Sequence, residues 1–386
     1  MNSTRVLVAM SGGVDSSVAA FLLHRQGREV VGVHMRNGAE SAERGPAEDA
    51  KTTRPARGCC GVEDAYDARR VADRLGFPFH VLNYQRAFGA VMDDFADEYA
   101  AARTPNPCIR CNAWLKFGRL VSFARSLGIP KVATGHYARL VDRDGRLAVA
   151  RAADAAKDQS YVLFPLTQEQ LASAVFPLGD LAKPEVRAVA REAGLGVQDK
   201  PDSQGICFIP DDDPGRFLRE RRPDLDGAGD FRTSDGTVVG RHRGYQFFTI
   251  GQRKGLGLAL GRAMYVARID PATRTVWLGD DSDLWSRTCG IDAVNWMGWA
   301  PPPPGERRPC AVQIRAHHEA APAVVTALDG GRARIEFDAP QRAITPGQAA
   351  VIYDGEIVAG GGWIGSGAGR SPGSGVLSPE SLVPSS

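Results

Sequence analysis

The chain has 386 residues, 43% hydrophobic and 24% charged, which leaves room for two or three domains and excludes global disorder. No apolar run approaches the ~20 residues that span a bilayer, and the first ten residues lack a signal-peptide pattern, so a cytoplasmic protein without a membrane partner is expected. With 47 basic and 45 acidic residues the net charge is +2. That excludes a uniformly basic nucleic-acid binder, although a local basic face can hide in a balanced total. Seven cysteines in such a chain point to catalytic or metal-binding thiols rather than a disulfide scaffold.

The first segment reads as α/β. Arg5 to Met10 is a short apolar run suited to a buried parallel strand. Ser11-Gly12-Gly13-Val14-Asp15-Ser16-Ser17 follows, then Val18, Phe21, Leu22 and Arg25 at helical spacing, with Gly27 as a stop and Glu29 to Met35 as a second strand. This is the unit of a doubly wound parallel sheet. Asn37 to Gly58 is polar and aperiodic and reads as a long loop. A helix from Val62, a strand at Phe79 to Leu82, an amphipathic helix with Phe88, Val91, Met92, Phe95 and Tyr99 on one face, a helix at Trp114 to Leu127 and a strand at Lys131 to Thr134 come next. Two helices follow, near Gln168–Ala174 and Pro184–Ala193. Character changes near Phe208. The expected organisation is an α/β domain over 1–208, a small β-rich domain over 209–283, a β-barrel over 284–364 and a disordered Ser/Gly/Pro-rich tail over 365–386.

The glycine loop between strand and helix turns backbone N–H groups toward one point, and the helix N-terminus adds partial positive charge. That is an anion site suited to nucleotide phosphates. The string contains no lysine, so Mg²⁺ is the expected neutraliser, with Asp15 as its contact. It resembles the PP-loop of ATP pyrophosphatases, which cleave ATP between the α- and β-phosphates. A plain packing turn is the alternative.

Two cysteines stand out. Cys111 follows Thr104-Pro105-Asn106-Pro107-Cys108-Ile109-Arg110, and is read as sitting at a helix N-terminus, where a thiolate is favoured and Arg110 adds charge. Cys207 lies in Gly205-Ile206-Cys207-Phe208, where a buried apolar role is the alternative. Two thiols beside an adenylating domain suggest sulfur transfer, one carrying a persulfide and the other resolving it.

Six strings occur in order: Ser-Gly-Gly-Val-Asp-Ser-Ser, Arg103-Thr-Pro-Asn-Pro-x-x-x-Cys-Asn112, Ala133-Thr-Gly-His-Tyr137, Lys157-Asp-Gln-Ser-Tyr161, Gly205-Ile-Cys-Phe-Ile209 and Gly251-Gln-Arg-Lys-Gly-Leu-Gly257. Together they resemble the tRNA-specific 2-thiouridylase family (bacterial MnmA type) over about residues 5 to 360. The resemblance implies an N-terminal PP-loop domain, a small central domain and a C-terminal β-barrel. It implies ATP-dependent replacement of the 2-oxygen of the wobble uridine of tRNA by sulfur, with adenylation of that oxygen first. By carry-over Cys207 bears the persulfide, Cys111 completes transfer, and the two can form a transient disulfide. Ala9, Met10, Ser11, Gly12, Gly13, Val14, Asp15, Ser16, Met35 and Gly135 match nucleotide-contacting positions. Asn106, Pro107 and Cys108 match the segment beside the target base; His136, Lys157, Asp158, Gln159, Arg315 and Gln348 match tRNA contacts. A sulfur donor protein, either a sulfur relay protein or a cysteine desulfurase, is the implied partner. Some members carry Asp at the position of Cys108, and an aromatic commonly follows the Arg where Arg315-Ala316-His317-His318 stands here.

Other readings stay open. Cys108-x-x-Cys111 with Cys59, Cys60 and Cys207 has thiols enough for zinc or an iron–sulfur cluster, which would make a non-catalytic RNA-binding protein. A PP-loop amide-forming ligase shares the loop but needs neither Cys111 nor Cys207. Cys289 and Cys310 read as core residues. Pro214 to Arg262 holds ten Lys/Arg against five Asp/Glu, interleaved with Tyr245, Phe247 and Phe248, and reads as an RNA-facing patch. Pro301–Pro304 reads as a stiff inter-domain linker.

Overall fold

The structure, a computed structural model, describes residues 5–37, 61–202, 205–209 and 211–365. The 37–58 loop, Cys59, Cys60 and the tail therefore lie outside the described residues, apart from Asn37 and Gly365.

Burial on both faces explains the first sheet. Strand β1 (Val6–Ala9) is four consecutive buried apolar residues, as a parallel strand covered by helices on both sides must be. It pairs in parallel with β2 (Val30–Arg36) and β4 (Lys131–Ala133), in register Val8 with Gly32 and Val8 with Ala133. The full order is β3 (Phe79–Asn83), β2, β1, β4, β7 (Ala174–Val175). Helix α1 (Val14–Arg25) connects β1 to β2 on one side, while β4 lies on the other. The gap between β1 and β4 is thus the point where strand order reverses, and a crevice opens there beyond the strand ends. Helices α2 (Val62–Leu75), α3 (Gln85–Ala100), α6 (Gln168–Ser173) and α7 (Lys183–Glu192) complete this part.

One long helical run differs from the sequence expectation. It begins at Pro107, with α4 (Pro107–Arg110), passes into a π-helix over Cys111–Arg119 and ends as α5 (Leu120–Ser126). Proline near the first helical position and the Asn106 side chain, which accepts from Cys108 N–H, start it earlier than hydrophobic spacing alone indicates.

The hairpin β5 (Arg139–Arg143) and β6 (Arg146–Ala150) is absent from the sequence reading. It leaves the first sheet and joins the last one through Ile357 and Ala150. Helix α8 (Pro214–Arg221) leads to a four-stranded sheet, β10 (Tyr265–Asp270), β11 (Thr275–Gly279), β8 (Gly229–Thr233), β9 (Val238–His242). The aromatics assigned to an RNA patch belong to its core: Tyr245 and Phe248 are buried with Phe231, Val266 and Leu278, and Phe247 packs against them. Of the ten basic residues in that stretch, Arg216, Arg219, Arg221, Arg222, Arg232, Arg241 and Arg262 pair with carboxylates. Exposed Arg243, Arg253 and Lys254 remain without an acidic partner among the described residues.

The last sheet runs β12 (Trp285–Trp296), β15 (Arg332–Arg342), β14 (Ala321–Leu328), β13 (Arg307–Gln313), β16 (Ala349–Asp354), β17 (Ile357–Ile364). Pairing of β17 with β12 closes it into a six-stranded antiparallel barrel. Pro301–Pro304 lies between β12 and β13 of this one barrel. It is therefore a loop inside the barrel rather than a linker between domains; prolines cannot donate to a ladder and leave the sheet there. Cys289 and Cys310 pack against the barrel core, and burial pushes both thiols up to about 12. A single apolar cluster joins Leu7, Val33, Ile109 and Phe117 to Met297, Ala349, Val351 and Val358, so barrel and parallel sheet share a core.

Candidate active site

A cleft of about 300 Å³ opens at the strand-order reversal. Its lining includes nine of the ten residues expected at a nucleotide: Ala9, Met10, Ser11, Gly13, Val14, Asp15, Ser16, Met35 and Gly135. Gly12 supports the loop from behind. Its φ is +76°, and a Cβ there would stand 2.2 Å from the Asp64 carbonyl oxygen, so only glycine fits. Gly135 has a similar reason: a Cβ would lie 2.7 Å from Ser16 N, and the strand-end loop could not approach the start of α1. Ser16 Oγ accepts from Ser11 N–H at 3.1 Å, and Ser17 Oγ donates to Gly13 O at 2.8 Å, which locks the turn.

The sequence string lacks a cation, but the fold supplies several. Lys183, in the first turn of α7, places Nζ 2.8 Å from both oxygens of Asp15. Tyr137 OH donates to Asp15 Oδ1 at 2.8 Å. Asp202 receives Lys157 at 2.7 Å, Lys183 at 2.8 Å and Arg187 at 2.9 Å. Burial opposes ionisation of Asp202, yet the hydrogen bonds from Lys157 and Lys183 prevail and hold its pKa at about 2. Lys200 reaches Gly12 O at 3.2 Å and is fixed by Asp64 and Asp67 at 2.6 and 2.8 Å. These pairs fix ammonium groups around a loop whose own dipoles already favour an anion. Lysines from other elements thus stand beside a loop whose own string holds none.

The residues expected at tRNA divide into three places. His136, Lys157 and Gln159 line the same cleft. His136 is buried between Phe117 and Phe176 and bonded to Thr134 Oγ1 at 2.6 Å. Burial, with Lys116 nearby, drives its pKa well below 6.5, so the ring is neutral at physiological pH. Asp158 turns inward: its carboxylate accepts from Arg151, Ala152 N–H and the Ser160 backbone and hydroxyl, which places it in the scaffold. The third place joins barrel to helix start. Gln348 Nε2 donates to Thr104 O at 2.7 Å, and Thr104 N–H donates to Pro346 O at 2.8 Å. These bonds hold the loop before Asn106, Pro107 and Cys108 against the barrel. Arg315 lies on the barrel, donating to Arg342 O at 3.4 Å.

Cys111 and Cys207 border one apolar cluster, built on Phe88, Phe95, Phe208 and Phe217. Chain segments almost a hundred residues apart thus bring both thiols to one apolar cluster. Two details correct the sequence reading. Cys108, not Cys111, occupies the first helical turn, because the helix starts at Pro107. Arg110 is committed elsewhere: it pairs with Asp94 at 3.3 Å and lies over the rings of Trp114 and Trp363, at 5.1 and 4.1 Å. Among the described residues no three His, Cys, Asp or Glu side chains gather in a metal-binding group.

Sequence reasoning passed over Tyr137, Lys183, Lys200 and Asp202, and gave His34 only a surface or core role. His34 is fully buried beside the cleft, with Nδ1 donating to Met10 O at 2.9 Å. The Pro at the start of α7 marked a helix, but nothing local marked its neighbour Lys183 as facing the loop.

Comparison with known proteins follows this geometry. A family profile described as tRNA methyl transferase HUP domain matches residues 4–211, a PRC-barrel domain profile of the same series matches 215–280 and an aminomethyltransferase β-barrel profile matches 286–364. The chain is 45% identical over 384 residues to the tRNA-specific 2-thiouridylase MnmA of Rhodopirellula baltica, covering 94% of this chain and 96% of that one. It is 47% identical over 363 residues to that of Carboxydothermus hydrogenoformans, covering 93% and 97%, and 48% identical over 367 residues to that of Heliobacterium modesticaldum, covering 93% and 92%. No helix among the described residues is long and apolar enough to cross a membrane. The chain belongs to the tRNA-specific 2-thiouridylase family.

Proposed function

We propose that this protein is an ATP-dependent tRNA sulfurtransferase that converts the wobble uridine of its tRNA substrates to 2-thiouridine. The observation that carries the reading is the path of one helical run: it holds Cys111 in the cluster that also holds Cys207, and Lys116 in the cleft beneath the glycine loop. One helical run thus links the cleft to the cluster that both thiols border. A PP-loop amide ligase would have no use for the second feature.

ATP would lie with its phosphates at Ser11–Ser16 and its adenosine toward Met35 and Gly135. Asp15, Ser11 and Ser16 supply hard oxygen donors, which fit a Mg²⁺ carried in on the phosphates; when bound, it would neutralise charge on the pyrophosphate. Lys183 and Lys157, held by Asp15 and Asp202, stabilise the phosphates as the α–β bond breaks. The uridine O2 attacks the α-phosphorus, pyrophosphate leaves, and N3 gives up its proton. The terminal sulfur of a Cys207 persulfide then adds to C2, and AMP departs with the C2–O electron pair. Cys111 thiolate attacks Cys207 Sγ, the S–S bond breaks toward the base, N3 regains a proton, and 2-thiouridine leaves a Cys111–Cys207 disulfide. A thiol reductant resets the pair. Sulfur arrives from a relay protein or a cysteine desulfurase.

Cys111→Ser and Cys207→Ser are the direct test. Each abolishes 2-thiouridine formation, read by nucleoside mass spectrometry, while tRNA-dependent pyrophosphate release persists. Full thiolation by either variant contradicts the two-thiol scheme.

A further inference from the structure

The π-helix over Cys111–Arg119 is nine residues long, whereas such geometry mostly occurs as single-turn bulges, often at functional sites. Leu120 N–H donates to Leu115 O, an i→i+5 bond. A Cβ on Gly118 would lie 2.9 Å from Ala113 O, so glycine accommodates the widened turn. This geometry changes which side chains share a face. In an α-helix five residues leave positions 111 and 116 about 140° apart around the axis. In a π-helix the i→i+5 bond stacks residue 116 close to one turn above residue 111.

The two residues belong to two features of the molecule. Cys111 packs with Trp114 and Leu115 against the cluster that Cys207 also borders. Lys116 lines the nucleotide cleft with Gly135 and His136. The other cleft lysines, Lys157, Lys183 and Lys200, come from different elements. Lys116 alone among these four comes from the thiol-bearing helix.

We propose that Lys116 serves the sulfur-transfer half of the reaction, by holding the phosphate of the adenylated uridine where cleft and thiols meet and stabilising AMP as it leaves. The proposal rests on the adenylation reading above. In the step concerned a C2–S bond forms, the C2–O bond breaks, and AMP takes the electron pair. The Lys116 ammonium keeps its protons and donates a hydrogen bond to the phosphate oxygens as they gain charge, so neither oxidant nor reductant is consumed. One short π-helical segment carries both the thiol and the ammonium.

The test uses full-length enzyme, unmodified tRNA, a persulfide donor and ATP labelled at the α-phosphate. Two products are followed: label retained on tRNA, and 2-thiouridine. With Lys116→Ala, label accumulates on tRNA and thiolation slows about 100-fold, the loss typical of removing one donor to a developing anion. Lys116→Arg recovers to within about tenfold. A merely structural role would lower adenylation and thiolation together without accumulation. That result, or thiolation at the wild-type rate, overturns the proposal. Absence of tRNA-dependent pyrophosphate release from the wild-type enzyme overturns the adenylation reading itself, and the proposal with it.

Discussion

Asp15 shows how much of the site turns on single side chains. It sits in the first turn of α1, where a carboxylate is favoured, and holds Lys183 and Tyr137 at 2.8 Å. Asp15→Ala releases both, and tRNA-dependent pyrophosphate release falls at least 100-fold, while thermal melting confirms a folded protein; unaltered release would remove Asp15 from the first step. Histidines report differently. His242 is buried edge-on against Phe231 and Phe248 at 5.0 and 5.4 Å, and burial lowers its pKa below 6.5. The unfolded chain then binds the extra proton between the folded value and 6.5. Stability from this group is complete above about pH 6.5 and is lost as pH falls through that window; His136 acts in the same direction. Urea midpoints therefore drop from pH 7.5 to 5.5, and His242→Phe flattens the drop. An equal slope in the variant would assign the effect elsewhere. Only part of this was readable in advance. Ser11 to Ser17 could be read because a short apolar run, two glycines and a helical pattern are all local. Tyr137 and Lys183 reach Asp15 across 122 and 168 positions, and no local pattern encodes such a meeting.

At the scale of elements, the helical run from Pro107 and the loop before it couple three parts of the molecule. The loop is bonded to the barrel at Pro346 and Gln348. Gly347, at φ +88°, lies so close that a Cβ would stand 2.7 Å from Arg103 Cβ. Gln348→Ala removes one bond, worth about 1 kcal/mol; thiolation falls several-fold while melting temperature shifts by only a few degrees. Equal thiolation in variant and wild type would make the tether irrelevant to the site. The existence of this helix was legible from its apolar spacing, but its start and its π turns were not. The start depends on a proline and an asparagine cap, and the wide turns depend on packing that hydrophobic periodicity does not record. The β5–β6 hairpin is a different case: Asp144-Gly145, both at positive φ, is a local turn signal that the sequence reading passed over, and only its attachment to β17 is long-range.

For the whole molecule, the near-zero net charge conceals how basic residues are spent. Most in the central stretch are neutralised by Asp and Glu of the same region or of α3, as Arg221 and Arg222 are by Asp93 and Asp97. Arg243, Arg253 and Lys254 are exposed and remain as candidates for tRNA phosphate contacts. Their triple replacement by alanine weakens tRNA binding and reduces the slope of log affinity against log salt by about 2 to 3; an unchanged slope would place the tRNA elsewhere. The measurement that reaches furthest is a single reaction. Purified protein, unmodified tRNA, ATP and a persulfide or sulfide donor are combined, and the nucleosides are resolved by mass spectrometry. 2-Thiouridine forms, its yield requires ATP, and with the persulfide donor it is absent in Cys111→Ser. Formation without ATP, or no 2-thiouridine from folded protein and a competent tRNA, contradicts an adenylating sulfurtransferase.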